Sequence, residues 1–471
     1  MRWFVVALVA TPALSFASDG LDAAPSASWS GDASHDAFGA NVAGGDFNGD
    51  GFADILVPIP GKSSAKVYAG GDGAPSVAAV STLVSELPAF GFATAIGDVD
   101  GDGRMDAAIS SEWLQVDVFP GDEAYLGTSP TSLLSEGGQF GNELAMNGDV
   151  NGDGFDDLLV GAQGSEYTDG VLYGYFGSGG GLGGPPDIEL PYPSGSSGAA
   201  LSYVGDLDGD GSDDIATAEG MRVSLYTEPT TSDSPDQQVV VDGGLGIVAT
   251  IAGAMDVNGD GHSDVVEGCD RAGEEESGRA YVFLGNGVGI DDPPIAILAG
   301  SAYSSFGVDV ASGGDVDLDG FDDILVGARN ADNARGALYV FWGEASGPSD
   351  DGATRRDGTT DFENFGTYVA GIGDVDGDTR PDVVVTAYAF NEYAGRVDFF
   401  AGTDRSPVPV DTGMNSDSGN EDSVADEGDS GLENATKGSD ANDCGCGAGS
   451  RASLVSVVAM MMLIGGRRSR S

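Results

Sequence analysis

The stretch GDFNGDGFADILV, residues 45–57, alternates small acidic or amide residues with glycine and runs straight into an aliphatic segment. Asp46, Asn48 and Asp50 stand two residues apart, Gly51 follows, and Asp54 closes the loop. This is the pattern D-x-[DN]-x-D-G-x-x-D. It surrounds a hard divalent cation with oxygens, and calcium, which takes six to eight of them in a flexible shell, suits it best. Four ligands come from side chains, and a fifth is expected from the backbone carbonyl of Phe52. Gly51 takes the sharp turn, where a positive φ is easiest without a Cβ.

The same loop recurs six more times, at intervals of 50 to 59 residues. In the order first, third, fifth, carbonyl and closing position, the second copy offers Asp98, Asp100, Asp102, Arg104 and Asp106. The third offers Asp149, Asn151, Asp153, Phe155 and Asp157, and the fourth Asp206, Asp208, Asp210, Ser212 and Asp214. The fifth offers Asp256, Asn258, Asp260, His262 and Asp264, the sixth Asp315, Asp317, Asp319, Phe321 and Asp323, and the seventh Asp374, Asp376, Asp378, Arg380 and Asp382. Self-similarity at this period marks a repeat architecture, so the usual scaling of length to domain number does not apply.

Acidic residues outnumber basic ones 77 to 19, for a net charge of -58. That field repels phosphates and argues against nucleic acid as a partner. Much of the acid sits at the ligand positions, where carboxylates this close repel one another without a cation. Only three cysteines occur, and Cys269 stands alone within the repeats, read as a partly buried free thiol. Disulfides therefore do not staple the fold.

Met1 to Ala17 has the layout of a secretory signal: Arg2, an apolar core, then Ser15-Phe16-Ala17, with cleavage expected after Ala17. Residues 18–403 then repeat one plan. A Phe-Gly pair opens five of the units (Phe38-Gly39, Phe90-Gly91, Phe140-Gly141, Phe306-Gly307, Phe365-Gly366). A strand, the acidic loop and a tight aliphatic strand follow, then an aromatic strand ending in glycine. Runs rich in β-branched residues and bounded by turn residues read as buried strands, and no useful helical periodicity appears. About 50 residues and four short strands per unit is the size of a propeller blade. The expected fold is all-β, a seven-bladed β-propeller, with each phenylalanine packed between neighbouring blades.

Phe-Gly, an apolar strand, D-x-[DN]-x-D-G-x-x-D and a second aliphatic strand together resemble the FG-GAP repeats of integrin α-subunit propellers and their bacterial relatives. The resemblance covers roughly residues 30–403. It implies up to seven Ca2+ ions in hairpin loops on one rim. Three departures qualify it. The fourth and fifth units lack a clear Phe-Gly pair, so their blades are expected to be less regular. Leu318 replaces a loop glycine in the sixth copy, at little expected cost. Thr379 replaces the turn glycine in the seventh, which makes the Asp374 loop the weakest or most distorted site.

Residues 404–443 change character, rich in Asp, Ser, Gly and Glu, and read as a disordered acidic stalk. In 444–471, Cys444-Gly445-Cys446, a short apolar helix and terminal arginines follow. These resemble the tripartite surface-sorting tails of bacteria, the Cys-containing myxobacterial type in particular. The likeness implies processing at Cys444 or Cys446; a small disulfide is the alternative. The membrane is then met only through this tail.

The leading functional reading is a secreted, cell-surface, calcium-binding adhesion or ligand-binding module whose partner is a surface protein or polysaccharide. The rivals are a propeller-based polysaccharide lyase or hydrolase and a purely structural envelope protein. Only two histidines exist, and His262 is committed to a loop, so a histidine-based catalytic site would rest on His35. No catalytic residue is assigned. The long connections Gly177 to Pro193 and Gly343 to Asp361 are candidate ligand-carrying loops.

Overall fold

The aliphatic run after each acidic loop is the second strand of a four-stranded antiparallel sheet. These strands are Asp54–Ile59, Asp106–Ser111, Asp157–Gln163, Ile215–Glu219, Asp264–Cys269, Asp323–Ala328 and Val383–Ala387. They are almost wholly buried, which explains why their sequences do not alternate. The structure, a computed structural model, describes residues 19–111, 114–134, 138–164, 170–192, 199–241, 250–348 and 352–405. Seven such sheets form a seven-bladed β-propeller. In each, the innermost strand leads into the acidic loop, and the aromatic strand lies third.

The outermost strands explain how the ring closes, which the repeat count does not reveal. Six units supply all four of their own strands. The seventh supplies three, and its outer strand is Ala27–Ser30 from the chain's beginning, paired with Arg396–Phe400. Trp29 of this strand is buried, and its ring centroid lies 4.7 Å from that of Tyr68 in the first blade. The Ser28 hydroxyl donates to Asp398 at 2.6 Å. Arg396 fills the remaining buried polar space, pairing with Glu363 at 3.1 Å and Asp398 at 2.9 Å. A further two-stranded pair joins Asp19–Leu21 to Gly402–Arg405.

All five Phe-Gly phenylalanines are at most 1% exposed and sit between blades. Phe90, for example, packs with Leu56 and Val67 of the first blade and Ile109 and Phe119 of the second. The partnering glycine needs its identity twice over. Gly366 has a φ of +78°, and a Cβ there would lie 2.2 Å from the Ala337 carbonyl oxygen.

The fourth and fifth units, expected to be less regular, keep all four strands despite lacking the Phe-Gly pair. In the fourth, Tyr203 takes over the role of blade-bridging aromatic, its hydroxyl donating to the Asp157 carbonyl at 2.8 Å. Cys269 is fully rather than partly buried, and burial pushes its thiol far above the ordinary range, leaving it unreactive.

Helical structure among the described residues is limited to single turns such as Ala331–Ala334 and Phe390–Tyr393. None is long and apolar enough to cross a membrane. The signal segment with Ala17, the acidic stalk beyond Arg405, and the tail with Cys444 and Cys446 lie outside the described residues.

Because Trp29 joins the last blade to the first, Trp29→Ala should cost about 3–5 kcal/mol of stability. A urea denaturation curve reads this directly. A loss below about 1 kcal/mol would mean the ring does not depend on its N-terminal strand.

Candidate metal centre

Each loop is first wrapped by its own side chains. In the first, Asp46 accepts hydrogen bonds from the Gly49 and Asp50 amides through Oδ1 (2.7 and 3.1 Å) and from Gly51 through Oδ2 (2.8 Å). Asp50 accepts from the Phe52 amide at 3.0 Å. The last two contacts recur throughout, for instance Gly154 to Asp149 at 2.7 Å and His262 to Asp260 at 3.0 Å. The seventh loop keeps them with Thr379 in place of glycine, donating to Asp374 at 2.7 Å with a φ of +76°. Thr379 thus carries backbone strain without distorting the loop, correcting the expected distortion. Leu318 also has a positive φ, +58°, which costs a side-chain-bearing residue about 1 kcal/mol, more than the sequence suggested.

The closing aspartate fixes the loop to its blade. In every copy one oxygen accepts from the amide of the buried residue after the first ligand, from Phe47 to Asp54 at 3.2 Å through Val375 to Asp382 at 2.8 Å. The other accepts from the glycine that ends the third strand: Gly70, Gly121, Gly177, Gly285, Gly343 or Gly402. That glycine is required because the strand end presses on the neighbouring carbonyl; a Cβ on Gly70 would lie 2.3 Å from the Ala53 oxygen. In the fourth blade Glu228 stands in its place, and Asp214 Oδ1 is left buried without a partner.

The donor set fits a hard cation. Ligand oxygens of Asp98, Asp100 and Asp106 lie within 4.8 Å of one another, as do those of Asp315, Asp317 and Asp323, of Asp374, Asp376 and Asp382, and of Asp206, Asp208 and Asp210. In the first, third and fifth loops an asparagine holds the third position. In the third, Asn151 Oδ1 is buried with no hydrogen-bond partner. A buried orphan acceptor costs free energy unless something satisfies it, and here it sits at a ligand position. Oxygen donors alone, without thiol or imidazole, select a hard ion.

Burial dominates the electrostatics. It raises the closing carboxyls to about 7 for Asp54, Asp106, Asp157, Asp264 and Asp382, and to about 8 for Asp214 and Asp323. The backbone amides oppose the rise, and the neighbouring loop carboxylates add to it. Burial likewise raises Asp317 to about 6, although Arg405 approaches it at 3.8 Å.

Two features of the rim escaped the sequence reading. The seventh-position side chain covers the preceding loop: Phe52, Phe155 and Phe321 lie against Gly377, Gly101 and Gly259. Arg104 lies on Gly49, donates to the Asn48 carbonyl at 3.3 Å, and pairs with its own loop's Asp102 at 2.8 Å. In five copies the eighth position, just before the closing aspartate, bonds back to the first ligand residue of the preceding loop, as Met105 does to the Asp46 carbonyl at 2.9 Å. The only sequence sign of this is the Asp-Asp doublet in three of the copies. Of the long connections, Gly177 and Gly343 start on this same rim, each donating to a closing aspartate. His35 lies away from it, its ring 6.0 Å from Tyr393.

Comparison with known proteins agrees with this architecture. A model described as an FG-GAP-like repeat matches residues 46–109 and 149–217, and one described as an FG-GAP repeat matches 306–341. Integrin alpha pat-2 of Caenorhabditis briggsae is 31% identical over 217 residues, covering 39% of this chain and 17% of that protein. Integrin alpha-5 of Xenopus laevis is 35% identical over 172 residues, covering 33% and 16%. The chain thus spans less than a fifth of the length of these relatives. A crystal structure of BBS1N in complex with ARL6DN, soaked with lead, aligns at a TM-score of 0.50 with 9% identity, covering 80% of this chain and 96% of that one, a likeness of fold alone. The matches support an FG-GAP, integrin-α-type propeller.

The raised closing carboxyls set the sign of a pH dependence. Without metal, the folded state holds these protons up to about pH 7 to 8, while the unfolded chain releases them near 3.8. The folded state therefore binds more protons across this window, and its stability falls as pH rises through it. Chelator-treated protein should melt at a higher temperature at pH 5 than at pH 8; the opposite slope would show these groups to be ionised when metal-free.

Proposed function

We propose that the chain is an exported cell-surface β-propeller that holds Ca2+ in its rim loops and presents a ligand-binding or adhesion surface to a protein or polysaccharide. The observation that carries the calcium reading is the oxygen-only cage built at equivalent hairpins, with Asn151 Oδ1 left buried and unpartnered at a ligand position. The first, third, fifth and closing side chains of each loop hold the ion, with the seventh-position carbonyl as the remaining protein ligand. Bound Ca2+ supplies positive charge that relieves carboxylate repulsion and fixes each hairpin.

The adhesion reading follows from the likeness to integrin α chains, proteins far longer than this one. In this scheme the propeller is non-enzymatic. The leader ends at Ala17, and the tail is processed at Cys444 or Cys446. The Asp374 loop is the weakest site, because Thr379 carries strain that glycine avoids.

With dissociation constants of about 0.1 to 1 mM, usual for extracellular calcium modules, about 1 mM calcium adds roughly 0.4 to 1.4 kcal/mol per site. Several filled sites rival the net stability of a domain. Calorimetry should therefore show uptake of several Ca2+ ions, and EDTA at neutral pH should lower the melting temperature by many degrees. No uptake and an unchanged melting curve would remove calcium from the account. A glycan and protein array, probed with calcium and with EDTA, tests the ligand; a blank array would favour a purely structural role.

A further inference from the structure

The joints between neighbouring loops are not alike. Asp213 grips both backbone poles of Asp149, the first ligand residue of the preceding loop. Its Oδ2 accepts from the Asp149 amide at 2.9 Å, and its own amide donates to the Asp149 carbonyl at 2.8 Å. Asp156 holds Asp98 in the same way, at 2.7 and 3.2 Å, and Asp322 holds Asp256 at 2.9 and 3.0 Å. Each gripping residue is bonded directly to the closing aspartate of its own loop, Asp157, Asp214 or Asp323.

The other joints lack the carboxylate. Ala53 and Met105 reach the preceding loop only through an amide-to-carbonyl bond, at 2.8 and 2.9 Å. Pro381 has no amide to donate, and Ser263 has no carboxylate.

Resting on the calcium reading above, we propose that Asp156, Asp213 and Asp322 are positioning residues that couple cation binding between adjacent loops. The sites then fall into a coupled run of three (the Asp98, Asp149 and Asp206 loops), a coupled pair (the Asp256 and Asp315 loops) and two sites, at Asp46 and Asp374, without a carboxylate link, the Asp46 loop being met by Arg104 instead. An ion in one loop fixes its closing aspartate and hence the residue before it. That residue already holds the amide of the neighbour's first ligand with a carboxyl oxygen and its carbonyl with an amide. The neighbour's loop is thus partly ordered before its own ion arrives, which raises its affinity; coupling of this kind is reciprocal.

Calcium titration of the full chain by calorimetry tests this, with native mass spectrometry counting the ions. Asp213→Ala should weaken the third-loop site about ten-fold, the upper range expected for loss of one hydrogen bond, and should flatten the isotherm. Asp213→Asn keeps an acceptor oxygen and should restore most of the affinity. In an Asp149→Ala background, which removes the third-loop ion itself, Asp213→Ala should have no further effect. Should Asp213→Ala fail to fold, Asp213→Ser, the residue type at the Ser263 joint, replaces it. Equal weakening in both backgrounds, or an asparagine variant as weak as the alanine, would overturn the coupling. So would a variant isotherm that superimposes on the wild-type one, whereas a wild-type chain that takes up no calcium overturns the calcium reading instead.

Discussion

Everything on the rim depends on one carboxylate per blade being held by backbone amides, two at once in every blade but the fourth. The closing aspartate accepts from the second residue of its own loop and from the glycine that ends the third strand. It thereby ties the inner hairpin to the next strand out and anchors the loop to the sheet. The arrangement buries an acid, and burial raises the free energy of its ionised form. Each blade therefore carries a group that backbone amides only partly satisfy, set beside three further acidic or amide side chains. A cation resolves the conflict more completely than protons can, because it compensates the whole cluster.

The loops are also the contact between blades. Aromatic or arginine side chains from one loop lie on the glycine of the loop before it, and in five of the joints the residue preceding the closing aspartate bonds to the same neighbour. Ring assembly and loop geometry are consequently one problem. A propeller's stability is approximately a sum of blade and neighbour terms, and here a share of the neighbour terms passes through groups that a cation would touch.

Much of this was legible in the sequence because the strongest constraints act locally. Seven loops with fixed spacing, a strand after each and a phenylalanine before five of them specify blade, number and order. What remained hidden depends on which distant segments meet. The N-terminal Ala27–Ser30 carries no loop or Phe-Gly signal, so its place in the last blade could not be read from the repeats. The fourth and fifth units lack a Phe-Gly pair, yet in the fourth Tyr203, at the far end of the same inner strand, bridges to the third blade. Glu228 stands where the other six blades end their third strand in glycine, and only the packing shows that Asp214 Oδ1 is then left without a partner.

The pairing of Asp19–Leu21 with Gly402–Arg405 carries a mechanical consequence. Both ends of the described body leave from one place, and that place is on the acidic rim: Gly402 donates to Asp382, and Arg405 lies against Asp317 and the Trp342 ring. Tension applied through a tether beyond Arg405 would arrive first at the sixth and seventh loops and then at the strand that closes the ring. The opposite face, where the Phe-Gly turns lie, is the part of the ring farthest from that point.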